Sequence, residues 1–269
     1  MAALTPPRPC QGRVSPPTPW LVRVFQRYVR TYLRRHFHAV RCAWPGRPPV
    51  LPPGPLIVYL NHPAWWDPLL SFLLAYHYFP EREHYAPMEA QALARYRFLT
   101  RLGFFGLDLQ RRQGAVTFLR TSEAILRRPA AVLWLTPGGA FTDPRQRPLH
   151  FRPGLGHLVR RLERCSLLPL ALEYPFWEER LPEALAYFGP LLETTEDGAA
   201  RAEVWTQRLV QCLTTTQERL AQAACSRERT VFEVVLRGRA GVGGVYDFWR
   251  ACKARWRGEP FRRAHGVAE

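Results

Sequence analysis

Lysine is nearly missing from this chain: Lys253 is the only one among 269 residues. The net charge of +16 and the pI near 10.5 therefore rest on arginine. Arginine suits bidentate contact with phosphate, and a GC-rich coding sequence yields the same bias along with the many Ala and Pro residues. Long apolar runs are also lacking. The best candidate, 68–79, is too short to cross a bilayer as a helix. The six cysteines (10, 42, 165, 212, 225, 252) form no Cys-x-x-Cys pair, so zinc spacing is absent and reduced thiols are expected. Residues 1–19 hold six prolines and no apolar signal core, so neither an export signal nor an ordered start is expected there. No His/Asp/Glu cluster has metal spacing, and no metal is expected. The glycines at 238–244 lack a following Gly-Lys-Ser/Thr, which argues against a phosphate loop.

What remains is a globular composition. Apolar residues make up 47% and aromatics 13%, enough for one sizeable packed domain and too much for a disordered chain. A charge of +16 calls for an acidic partner: nucleic acid, anionic lipid headgroups or a phosphorylated carrier.

Residues 20–44 carry arginines at 23, 27, 30 and 34, with Leu21, Phe25, Tyr28, Val29 and Tyr32 largely on another face. That spacing predicts a basic amphipathic helix, suited either to a membrane interface or to packing on its own domain. His36 and His38 are assigned to it. A Pro/Gly linker follows over 45–55. Strands are then expected at 56–60, 83–87, 104–108, 131–135, 167–173 and 184–189. Helices are expected at 67–79, 88–100, 113–128, 153–164 and 198–223. The alternation predicts an α/β fold: a mostly parallel mixed sheet flanked by helices. The tail mixes Trp249, Trp256 and Phe261 with arginines, which suits a lipid interface or single-stranded nucleic acid. The chain thus divides into a tail (1–19), a basic helix and linker (20–54), a main domain (55–225) and a basic aromatic segment (226–269).

One block stands out. Asn61-His62-Pro63-Ala64-Trp65-Trp66-Asp67 follows the apolar run 56–60. A five-residue spacing fits a turn better than one helix face. A carboxylate at the start of the next helix can hold one imidazole nitrogen and leave the other free to take a proton from a hydroxyl. The plain alternative is that Asp67, with Pro68 after it, is only a helix N-cap. In a mostly parallel sheet, sites lie beyond the carboxyl ends of the strands. His62 and the long loop 136–152, with its Pro137-Gly138-Gly139 turn, can meet there.

The chain resembles the glycerolipid (lysophospholipid) acyltransferase family, whose Asn-His-x-x-x-x-Asp block is similar to residues 61–67. Further similar blocks, in family order, are 103–112 with Arg111 and Arg112, 135–141 followed by Phe151-Arg152-Pro153-Gly154, and 168–172; together they cover about 55–175. The third block departs from the family pattern, with Gly138 in place of its glutamate and Phe141 in place of its arginine. The resemblance implies a glycerolipid-acyltransferase-like fold with the N-terminal amphipathic helix ahead of it. It also implies an O-acyltransferase that moves a fatty acyl group from acyl-CoA or acyl carrier protein to a hydroxyl of a membrane lipid acceptor. His62 would be the base and Asp67 its partner. Asn61, Arg111, Arg112, Pro137, Gly138 and Gly139 would contact substrate, with no cofactor beyond the acyl donor. Arg145, Arg147 and Arg152, near the third block, are the substrate-binding candidates to take over anion binding from the polar residues missing there. The expected place is cytoplasmic, peripheral on the inner face of an anionic membrane, without a transmembrane span or signal peptide. The rival readings are a basic nucleic-acid-binding protein, for which no recognised motif is present, and a catalytically degenerate lipid-binding scaffold of the same fold. Nucleic acid is not the expected partner.

Overall fold

A computed structural model describes residues 14–108, 112–194 and 200–241, with positions 249, 252, 253, 255 and 256. The helix α1 (Pro19–His36) leads to strand β1 (Ala39–Ala43). The alternating region follows: β2 (Leu56–Leu60), α2 (Asp67–Tyr78), β3 (Glu83–Glu89), α3 (Ala90–Arg95), β4 (Phe104–Leu107), α4 (Arg112–Leu126), β5 (Ala131–Leu135), α5 (Gly154–Val159) and β6 (Ser166–Glu173). The chain continues through β7 (Glu183–Phe188), β8 (Leu192–Glu193), α6 (Ala202–Ser226) and β9 (Phe232–Arg237).

The strands form one nine-stranded sheet in the order β4-β3-β5-β2-β6-β7-β1-β9, with β8 beside β6. From β4 to β6 every neighbour is parallel; β7 runs against β6, β1 parallels β7, and β9 runs against β1. The fold is thus α/β with a mostly parallel mixed sheet flanked by helices. The central strand β2 is Leu-Ile-Val-Tyr-Leu, buried at every position. An unbroken apolar run is what a strand covered on both faces requires. Val58 and Leu60 pack with α1 and α2 on one face. Ile57 and Tyr59 pack with Leu155, Leu158, Trp205, Leu209 and Leu213 on the other.

Several elements differ from the sequence reading. The N-terminal helix ends at His36, where Phe37 turns extended, and residues 39–43, expected as helix, form β1. His38 therefore lies outside the helix, with its Nδ1 2.6 Å from Glu183 Oε1. Arg41 sits in mid-strand, buried, and its Nε donates to Glu183 Oε2 at 3.1 Å. A buried arginine hides the apolar signature of a strand. Phe232–Arg237, expected within a basic tail, closes the sheet as β9 along β1. The helix expected over 88–100 is replaced by the end of β3, the short α3 and a 3-10 turn, Arg97–Leu102. Pairing of β3 with β4 continues to Glu89, which takes that backbone out of a helix. The turn ends at Gly103, whose φ of +96° and whose closeness to the His84 carbonyl exclude a side chain. The helix expected over 153–164 stops at Val159, after which the chain turns into β6. Gly243, Gly244, Phe261 and most of the aromatic–arginine tail lie outside the described residues. No helix among the described residues is long and apolar enough to cross a membrane.

Candidate active site

The strands β2, β5 and β6 are parallel and end at one edge of the sheet, so the segments after them converge. Because β7 and β1 run the other way, their starts lie at that edge too.

Residues 61–66 join β2 to α2. Asn61 is buried, and its side chain continues the β2–β6 ladder: Nδ2 donates to Leu172 O at 2.9 Å, and Leu172 N–H donates to Oδ1 at 2.8 Å. His62 follows, with Nδ1 2.5 Å from Asp67 Oδ2 and part of its ring in solvent. Asp67 is 1% exposed. Its Oδ2 also accepts the Ala64 N–H at 3.1 Å, and its Oδ1 accepts the Tyr174 hydroxyl at 2.6 Å. The helix begins at Asp67 itself, after Trp66, and Asp67 turns its carboxylate back to the preceding turn. The N-cap reading is therefore corrected: the carboxylate serves His62 and the turn. In the neutral tautomer that places its proton on Nδ1, toward Asp67, the imidazole has Nε2 as an acceptor.

Tyr174, the first residue after β6, was not identified from the sequence. Burial, and then the adjacent Asp67, push its phenol well above the ordinary range, so it is a lasting donor. The signal that finds it is strand order: β6 lies beside β2, so the residue leaving β6 faces the turn leaving β2.

The loop after β5 closes on the same place. Gly139 N–H donates to Thr136 O at 3.0 Å and Arg152 N–H to Pro137 O at 2.9 Å, which folds 136–152 back on itself. Thr142 N–H donates to His62 O at 2.9 Å, and the Phe141 ring lies 4.3 Å, centroid to centroid, from the His62 ring. Phe141 thus places a tilted aromatic ring against His62. Gly138 has ordinary room for a side chain. Gly139 does not: its φ is +68°, and a Cβ would come within 2.6 Å of Arg152 Nε. The Arg152 side chain packs against that glycine. Arg145 is gripped by Asp143 (Nε–Oδ1 2.9 Å, Nη2–Oδ2 2.8 Å). Arg147 Nη1 donates to the carbonyls of Pro144 and Gln146 at 2.9 and 2.8 Å. Glu173, at the end of β6, is raised by burial, with Arg145 offsetting part of the effect. Arg112 opens α4, and Arg111 lies outside the described residues. So His62, Asp67 and the Pro137–Phe141 turn come together, while Asn61, Arg145 and Arg147 are held by contacts within the protein. No group of three or more metal-ligating side chains occurs among the described residues.

This edge, from the end of β2 to the end of β6, falls within one stretch of sequence that matches a known family. No curated protein matches the chain. Residues 46–173 match the acyltransferase family, and this stretch is an acyltransferase-family domain.

Proposed function

We propose that the protein transfers a fatty acyl group from an acyl thioester, acyl-CoA or acyl carrier protein, to a hydroxyl of a membrane lipid acceptor. The observation that carries this reading is the His62 Nδ1–Asp67 Oδ2 contact of 2.5 Å at the open edge of the sheet. It leaves Nε2 available to the acceptor hydroxyl. His62 takes the hydroxyl proton as the oxygen attacks the thioester carbonyl, and Asp67 stabilises the imidazolium. The tetrahedral adduct then collapses, the C–S bond breaks, and the thiolate leaves with the proton returned by His62. A thiolate is a good leaving group, so the route needs no acyl-enzyme. Tyr174 and the Ala64 N–H keep Asp67 aimed. Arg152, against Gly139, is proposed to meet an anionic part of a substrate, with Arg111 and Arg112 as further candidates. The acceptor is proposed to be drawn from an anionic membrane to which the protein binds peripherally.

Thiol release from a long-chain acyl-CoA, in vesicles containing candidate lipid alcohols, tests the reading, with the acylated product followed by mass spectrometry. Folded His62→Ala protein is expected to lose about 10²–10⁴-fold in turnover. Near-normal turnover would remove the base from the mechanism.

A further inference from the structure

The outer face of α1 is divided lengthwise. Val22, Val29 and Leu33 are buried on the inner face, with Phe25 packed beside them. A helix in water turns polar residues outward. Here Trp20, Val24 and Tyr28 recur every four residues and are 54, 54 and 52% exposed. A second outward row, Arg23, Arg27, Arg30 and Arg34, runs beside them. An apolar stripe and a cationic stripe therefore lie side by side on the exposed half of one helix.

The apolar stripe continues beyond the helix. Phe25 lies 6.5 Å from Phe98 of the 3-10 turn, itself exposed, and Arg101 stacks 5.3 Å over Trp20. At the other end Tyr28 stacks on Tyr32 at 5.7 Å, and Tyr32 meets Trp65 edge-on at 6.2 Å. Trp65 is 53% exposed and sits in the turn that carries His62. A largely exposed, mainly aromatic band thus runs from Trp20 to the mouth of the site, bordered by arginines. Patches of this kind mark interaction surfaces, and aromatic rings beside cations fit the boundary between headgroups and acyl chains.

We infer that this band is the surface on which the protein lies on an anionic bilayer, with Trp20, Val24 and Tyr28 entering the interface and Arg23, Arg27, Arg30 and Arg34 among the headgroups. Charge complementarity selects the occupant: a neutral protein surface would match the rings and leave the arginine row unanswered. The inference deepens the lipid-acceptor reading and rests on it for why the site needs a bilayer. With Trp65 at the end of the band, the His62 turn opens at the membrane surface, and the acceptor reaches it without crossing water.

The test is co-sedimentation of the full chain with phosphatidylcholine vesicles, with and without phosphatidylglycerol, across a salt series. Trp20→Ser/Val24→Ser/Tyr28→Ser is expected to weaken binding at least about tenfold and make the remainder fully removable by salt. Arg23→Glu/Arg27→Glu/Arg30→Glu is expected to abolish the preference for phosphatidylglycerol, a loss of about a hundredfold. Arg160→Glu/Arg164→Glu, before β6 at the opposite edge, should stay within about twofold of wild type. Hydrogen exchange on the unaltered protein covers the chance that a variant misfolds: anionic vesicles should protect 19–36 and 95–101 and leave 157–164 unchanged. Wild-type binding by folded apolar and arginine variants would overturn the inference. So would protection of 19–36 that depends on protein concentration and ignores vesicles, the mark of a second copy on this face. If the protein docks through this band and acylates no lipid alcohol, the transfer reading fails and the surface stands. If it acylates lipid while the variants bind unchanged, the surface fails and the transfer reading stands.

Discussion

The turn after β2 and the start of β1 carry the same pair in different settings. In both, a histidine Nδ1 meets a buried carboxylate, His62 with Asp67 at 2.5 Å and His38 with Glu183 at 2.6 Å. Both lie at the same edge of the sheet. The difference is on the far side of the carboxylate. Asp67 Oδ1 accepts from the Tyr174 hydroxyl, a neutral donor. Glu183 Oε2 accepts from Arg41, a guanidinium buried beside it. The Asp67 charge is thus left to answer a proton arriving on His62, whereas the Glu183 charge is already answered. A histidine–carboxylate contact alone does not define a base; the third group decides. On the proposed reading the first pair serves the chemistry, while the second fastens β1 to β7.

Asp67→Asn should break the first pair most severely. An asparagine amide can face His62 Nδ1 as a donor and favour the wrong tautomer, so turnover is expected to fall by about 10² or more, while the thermal midpoint changes little. Turnover near wild type would leave Asp67 only the role of holding the turn before α2. Glu183→Gln should act the opposite way. It withdraws a carboxylate from a buried arginine, which costs on the order of 3 kcal/mol, read by denaturant unfolding, with turnover per folded molecule unchanged.

His84 sharpens the comparison as a histidine with both nitrogens committed. It donates from Nε2 to Phe79 O at 3.0 Å and accepts at Nδ1 from Trp134 at 3.1 Å. Burial lowers its pKa from 6.5 to about 4, so it is neutral in the fold. As pH falls below about 6.5 the unfolded chain takes up a proton that the folded chain refuses until about pH 4. Stability is therefore lost across that window, roughly 3 kcal/mol in all, and the loss levels off below it. Unfolding at pH 7, 5.5 and 4 should show a shallower acid limb in His84→Gln than in wild type. Tyr174→Phe is the mildest change. It removes one of the three donors to Asp67, and about tenfold in turnover is expected, with about 1 kcal/mol of stability.

What was legible in the sequence follows from where the information lies. Leu56–Leu60 and Ala131–Leu135 are unbroken apolar runs between Pro/Gly punctuation, and their strand limits are readable to the residue. The His62–Asp67 pair is readable because the two residues lie within one turn of each other. Arg41 is unreadable as a strand residue because its partner Glu183 lies 142 positions away. Tyr174 is unreadable for the same reason: its contact with Asp67 spans 107 positions and exists only because β2 and β6 are neighbours. The fate of the loop arginines was equally hidden. Arg145 and Arg147 look alike in sequence, and only folding ties one to a carboxylate and the other to carbonyls.

The central claim is that His62 is a base and His38 is not. The most direct test is thiol release by His62→Ala and His38→Ala, side by side, from one acyl-CoA in one vesicle preparation, normalised to folded protein. The account predicts a loss of about 10²–10⁴-fold for His62→Ala and turnover within about twofold of wild type for His38→Ala, whose cost falls on stability instead. Equal losses in the two variants, or a His62→Ala protein that turns over normally, would contradict it.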